Sequence, residues 1–115
     1  VGVTCDPQLG PMILTGLGGI FTEVFQDAAL YPAPLNLWEA REMILSLKGS
    51  KLFRGYRGKP PLDTEALARV LVQVSNLAAE YKDTLVEMDI NPVFVYPDKE
   101  GVSAADGLVV LSEKP

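Results

Sequence analysis

Hydrophobic and polar positions change period several times along the 115 residues, and each change predicts an element. "MILTG" (12–16), bounded by Pro11 and Gly16, reads as a short strand. "GLGGIFTEVFQD" (16–27) is ambiguous between a strand and a helical turn. "AALYPAPL" (28–35) reads as extended, and Pro32 and Pro34 push it to a sheet edge because proline cannot donate to a ladder. The period then becomes helical. Leu37, Ala40, Ile44 and Leu47 share a face, with Asn36 as N-cap, Glu39 closing a capping box, and Gly49 as the expected stop. The Gly- and Pro-rich "FRGYRGKPP" (53–61) predicts a loop. A second helix follows, capped by Asp63, stapled by Leu62 and Leu67, and striped by Leu67, Leu71, Val74, Ala78 and Tyr81. Strand 86–96, the turn "PDKEG" and strand 102–111 close the chain as a hairpin. The whole is an α+β domain, residues 1–115, with two main helices packed on a largely antiparallel sheet.

The strand "VEMDINPVFVY" (86–96) carries polar groups at alternate positions of an apolar run. Alternation puts Glu87, Asp89, Asn91, Val93 and Val95 on one face, leaving Val86, Met88, Ile90, Phe94 and Tyr96 as the expected core face. If Pro97–Glu100 forms the loop and Tyr96 faces Gly101, Asn91 falls directly opposite Asp106. Cross-strand Cβ atoms lie about 4.5–5.5 Å apart, close enough for an amide oxygen and a carboxylate to share a hard cation. Asp89, on the same face, would bind a second ion or order its waters. The plain alternative is a solvated acidic face with Asn91-Pro92 as a turn. Pro92 implies a sheet edge or an irregularity.

Composition narrows the chemistry. The chain has no histidine and one cysteine, which excludes Ser-His and Cys-His catalysis, an internal disulfide and multi-cysteine metal centres. A metal, if handled, should be magnesium- or calcium-like and held by oxygen. A net charge of −5 argues against nucleic acid. No apolar run approaches a membrane span and no signal-peptide pattern opens the chain, so a cytoplasmic setting is expected.

Other segments are open. "GLGG" (16–19) lacks both the dinucleotide fingerprint and a Walker lysine, and a tight turn explains it as well as a phosphate loop. Arg54, Arg57 and Lys59 share a loop that either contacts an anion or only packs Tyr56 and orders the next helix. Cys5 is expected as a small buried thiol, and Trp38 as a core or interface anchor.

Three segments, "DPQLGPMILTGLGGIFTEV" (6–24), "GYRGKPPLD" (55–63) and "EMDINPVFVYPDKEGVSAADGLVVL" (87–111), resemble the C-terminal half of the ATP-grasp domain of NDP-forming acyl-CoA synthetases. This family includes ADP-forming acetyl-CoA synthetases and, more distantly, the succinyl-CoA synthetase β subunit. The resemblance implies part of an enzyme converting acyl-CoA, phosphate and ADP into acid, CoA and ATP through a phosphohistidine carried elsewhere. It implies Mg2+ with ATP or ADP as cofactor, Asn91 and Asp106 as metal ligands, and Asp89, Gly18 and Gly19 beside the nucleotide. Glu23 is a second candidate to contact the nucleotide or the incoming phosphohistidine loop. Cys5 departs from the basic or polar residue common there, and Gly107 from an alanine.

The resemblance also implies partners: the remaining ATP-grasp half, and a CoA-binding, phosphohistidine-bearing domain or subunit. The chain is then expected to be a C-terminal subdomain excised from a longer protein and inactive alone. An apolar surface left for the absent half would favour self-association. The competing implication is a synthetase-like module of a protein acetyltransferase that senses nucleotide or CoA without turnover.

Overall fold

The computed structural model describes residues 1–17, 27–55 and 57–113. Among the described residues, seven strands and two α-helices follow the order β1 (Gly2–Asp6), β2 (Gly10–Gly16), β3 (Ala28–Pro32), α1 (Leu37–Leu45), α2 (Thr64–Glu80), β4 (Leu85–Ile90), β5 (Val93–Val95), β6 (Val102–Ala104), β7 (Gly107–Leu111). A 3-10 helix, Ser50–Arg54, precedes α2. Five strands form an antiparallel sheet in the order β3-β2-β1-β4-β7, and β5 pairs with β6 in a separate ribbon. The proline-bearing β3 takes an edge, as a strand short of N–H donors must.

Register explains why one sheet face is core. Tyr31, Ile13, Val3, Met88 and Val109 are successive partners across the strands and so share a face. Both helices lie on this side: α2 packs on β1 and β2, and α1 on α2 and β3. Ile13, Val3 and Met88 are buried there against Leu71, Met43 and Leu67. The opposite face carries the row Leu30, Leu14, Gly2, Asp89, Leu108, and neither α1 nor α2 packs on it. Leu14, Leu30 and Leu108 are exposed.

The helix starts follow the sequence. Asn36 Oδ1 accepts from the Glu39 amide at 2.8 Å, and Glu39 Oε1 accepts from the Asn36 amide at 3.0 Å. These bonds satisfy N–H groups that the first turn of α1 leaves free. Asp63 caps α2 by accepting from the Ala66 amide at 3.1 Å. Ser75, fully buried, accepts from the Leu35 amide and donates to the Val72 carbonyl, tying the approach to α1 onto α2.

Several expectations change. Helix α1 ends at Leu45 with Ser46 as cap, and Gly49 has φ −85°, so it is not a left-handed stop. The space at Gly49 is crowded: a Cβ would meet the Leu17 Cδ1 methyl and lie 3.1 Å from Asp27 Oδ2, so Leu17 would have to shift to admit it. Tyr81 and Trp38 are exposed, Trp38 at 66%, so neither anchors the core. Cys5 is exposed as well. Strand β4 pairs only with Gly2–Thr4 of β1, so Cys5 lies past the end of that ladder and its thiol donates to the Leu85 carbonyl at 3.2 Å.

The core face of the last hairpin also differs from simple alternation. Val86 and Phe94 are 47% and 49% exposed, and Tyr96 is exposed, whereas Leu85 is buried and Val93 and Val95 pack on the core. Two irregularities shift the parity. One is a bulge between Leu85 and Glu87; the other is the break at Asn91-Pro92, where β4 ends and β5 begins. Only Met88 and Ile90, between the two, keep the expected side.

Candidate functional site

The two hairpin segments keep one register through the break. Phe94 faces Ser103 and Val93 faces Ala104 in the ribbon; Ile90 faces Gly107 and Asp89 faces Leu108 in the sheet. Between them the Ala105 amide donates to the Pro92 carbonyl at 3.0 Å and the Asn91 amide to the Asp106 carbonyl at 3.1 Å. Asn91 and Asp106 are therefore direct partners, at the corner where the ribbon leaves the sheet. The expected pairing of Tyr96 with Gly101 is also present, the Tyr96 amide donating to the Gly101 carbonyl at 3.0 Å.

Both side chains at this corner are exposed. Asp106 Oδ1 accepts from the Gly107 amide at 2.8 Å, which orients the carboxylate, and Oδ2 accepts no hydrogen bond among the described residues. The Asn91 amide group makes no side-chain hydrogen bond among the described residues. One carboxylate and one amide oxygen suit Mg2+, which keeps several waters and takes further oxygens from phosphate. Among the described residues no group of three or more His, Cys, Asp or Glu side chains could hold a metal. The donor set therefore fits a cation that arrives with its ligand and not a protein cage.

Asp89 stands two residues before Asn91, on the open face beside Gly2 and Leu108. A groove of about 700 Å³ crosses this face, with Thr4, Cys5, Leu14, Lys82, Glu87 and Asp89 among its lining. Neither Asn91 nor Asp106 lines it. Asn91 instead borders a cavity of about 260 Å³ between β2, the 3-10 helix and β5, whose walls include Leu17, Leu52, Phe53, Val93 and Phe94. The continuous register, not a shared cavity, relates Asp89 to the Asn91/Asp106 pair.

Gly18, Gly19 and Glu23 lie outside the described residues. The ends of their segment are held. The Leu17 amide donates to the Asp27 carbonyl at 3.2 Å, and the buried Asp27 carboxylate accepts from the Lys48 and Gly49 amides at 2.5 and 2.8 Å. Arg54, at the end of the 3-10 helix, and Arg57 and Lys59, in the loop after it, are exposed, and that loop has positive φ at Gly55, Arg57 and Gly58. Sequence reasoning missed Lys82 and the buried Asp27.

Comparison with known proteins decides the family. Residues 1–111 match the model of the ATP-grasp domain. The chain belongs to the ATP-grasp domain family. Among relatives of this ATP-grasp chain, the β subunit of acetate–CoA ligase (ADP-forming) II from Pyrococcus furiosus is 43% identical over 111 residues, 96% of this chain and 47% of that protein. Acetate–CoA ligase (ADP-forming) I from Archaeoglobus fulgidus is 41% identical, over 99% of this chain and 16% of its own length. A crystal structure from Pyrococcus horikoshii superimposes with a TM-score of 0.91 at 40% identity, covering 96% of this chain and 46% of that one. The dinucleotide-forming acetyl-coenzyme A synthetase 1 of Ca. Korarchaeum cryptofilum, solved with coenzyme A and Mg-AMPPCP, gives 0.88 at 39% identity, covering 96% and 51%. In that complex the phosphohistidine segment points towards the nucleotide-binding site. The chain thus spans about half, or less, of the length of the relatives it matches.

Proposed function

We propose that this ATP-grasp chain supplies the magnesium side of the nucleotide site in an ADP-forming acyl-CoA synthetase, which makes acid, CoA and ATP from acyl-CoA, phosphate and ADP. The observation that carries the reading is the pairing of Asn91 with Asp106 at the corner of the sheet, in a chain 43% identical to a subunit of such a ligase. Mg2+, when bound with the nucleotide, neutralises charge on the transferring phosphoryl group. Asn91 and Asp106 would hold it, each offering one uncharged or charged oxygen from a stiff ladder. Asp89 would face the nucleotide phosphates through their ion and waters, because a bare carboxylate repels phosphate. Gly18, Gly19 and Glu23 would border the same site from the segment between β2 and β3, where a phosphohistidine delivered by another domain or subunit arrives.

The open sheet face, with exposed Leu14, Leu30 and Leu108, would receive the remaining ATP-grasp half. No helix among the described residues is long and apolar enough to cross a membrane, and we place the enzyme in the cytoplasm. The Pyrococcus furiosus and Archaeoglobus fulgidus relatives are ligases, and a nucleotide-sensing module of an acetyltransferase gains no support from them. The test is ATP formation by the full-length parent from ADP, phosphate, Mg2+ and a panel of short acyl-CoA esters. Phosphate-dependent ATP formation is expected. MgADP binding with no turnover on any ester would favour the sensor. The 115-residue chain alone is expected to make no ATP.

A further inference from the structure

Asp63 does more than cap a helix. It is only 8% exposed, and its two carboxylate oxygens serve different elements. Oδ1 accepts from the Ala66 amide in the first turn of α2, while Oδ2 accepts from the Gly101 amide at 2.8 Å, across the turn of the β5–β6 ribbon. The Asp63 amide donates to the Tyr96 carbonyl at 2.7 Å, so the residue grips both strands of the ribbon at its closed end. Its neighbours extend the grip: Leu62 forms a bridge with Pro97, and the Asp98 amide donates to the Pro61 carbonyl at 2.9 Å. The Leu62 amide donates in turn to the Phe53 carbonyl, anchoring the segment to the 3-10 helix.

The ribbon belongs to a different sheet from β4 and β7, and the two sheets meet at Asn91 and Asp106. Strands joined at such a corner can swing relative to each other unless the free end is fixed. An unbroken ladder runs from the gripped pair Tyr96/Gly101 through Val95/Val102, Phe94/Ser103 and Val93/Ala104 to the corner. Fixing the far end therefore fixes the angle at which Asn91 and Asp106 present their oxygens. We propose that Asp63 is a positioning residue for the magnesium-nucleotide site, setting the ribbon's angle from the start of α2. This inference rests on the reading of Asn91 and Asp106 as metal ligands.

Serine at position 63 separates the two roles, since it caps a helix as well as aspartate does but has no second oxygen for Gly101. The experiment uses the full-length parent with Asp63→Ser, Asn36→Ala as a cap-loss control, and Asn91→Ala. Titration calorimetry measures MgADP affinity, and hydrogen exchange by mass spectrometry measures the peptide containing Gly101. Asp63→Ser is expected to speed exchange in that peptide and weaken MgADP binding about tenfold, the range for partners that orient metal ligands. Asn36→Ala is expected to change neither. Asp63→Asn gives the same comparison if the serine variant does not fold, because an amide can accept at Ala66 but its NH2 cannot accept from Gly101. Unaltered MgADP affinity with faster exchange would overturn the proposal, leaving Asp63 a cap and a tether only. Unaltered affinity in Asn91→Ala would overturn the metal reading itself, and the positioning role with it.

Discussion

Asp27 offers the sharpest stability prediction. Its carboxylate is 5% exposed and accepts two backbone N–H groups, those of Lys48 and Gly49, in the turn between α1 and the 3-10 helix. Replacing it with alanine removes both acceptors at once and leaves two part-buried donors without the partner they have now. Net hydrogen bonds to charged groups are worth about 1.5–3 kcal/mol each, so Asp27→Ala should cost about 3–6 kcal/mol. Asparagine keeps one acceptor and turns an NH2 group towards the other donor, so Asp27→Asn should cost about half as much. Total stabilities are about 5–15 kcal/mol, so the alanine variant would be near the edge of folding. Urea unfolding followed by far-UV circular dichroism is the assay, because the exposed Trp38 is a poor fluorescence reporter. With a slope of about 1.5 kcal/mol per molar urea, the midpoint should fall by about 2 M or more. A loss below about 1 kcal/mol in Asp27→Ala would refute the reasoning and mean that water replaces the carboxylate freely.

Two further outcomes follow from the same geometry. Gly49→Ala should destabilise by about 1–3 kcal/mol in thermal or urea unfolding, because the added methyl meets Leu17 and Asp27 and not because of backbone strain. Arg41 donates from Nε and Nη2 to the two carboxylate oxygens of Glu65, and these hydrogen bonds hold the Glu65 carboxyl below the usual range. A carboxyl lowered in the folded state adds stability above its unfolded pKa, about 4.3, and loses it as pH falls through the lowered folded value. Melting temperatures of wild type and Glu65→Gln should therefore differ slightly at pH 6–7 and converge in acid. Salt should shrink the difference, because both groups are exposed.

What the sequence revealed depended on how local each determinant was. The caps of both helices were legible because Asn36, Glu39 and Asp63 act within one turn. The Asn91/Asp106 pairing was legible because the length of the Pro97–Glu100 turn sets the register, and the register survives the break at Pro92. The core face of the same strands was not legible. A bulge near Val86 and the corner at Asn91-Pro92 each reverse the side on which alternate residues point, and neither leaves a mark in the alternation itself. Cys5 was misplaced because the β4 ladder stops at Thr4 and leaves its side open, and Tyr81 because it is the C-terminal cap of α2 and is exposed. The second oxygen of Asp63 and the burial of Asp27 depend on contacts between segments distant in sequence, so no local pattern announced them.

The central claim is that Asn91 and Asp106 together hold magnesium on the nucleotide. Its most direct measurement is ADP binding to the full-length parent by titration calorimetry, with and without Mg2+, for wild type and Asn91→Ala/Asp106→Ala. Wild type should bind ADP more tightly with Mg2+, and the double variant should lose that dependence while keeping its metal-free affinity. An undiminished magnesium dependence in the double variant would contradict the account.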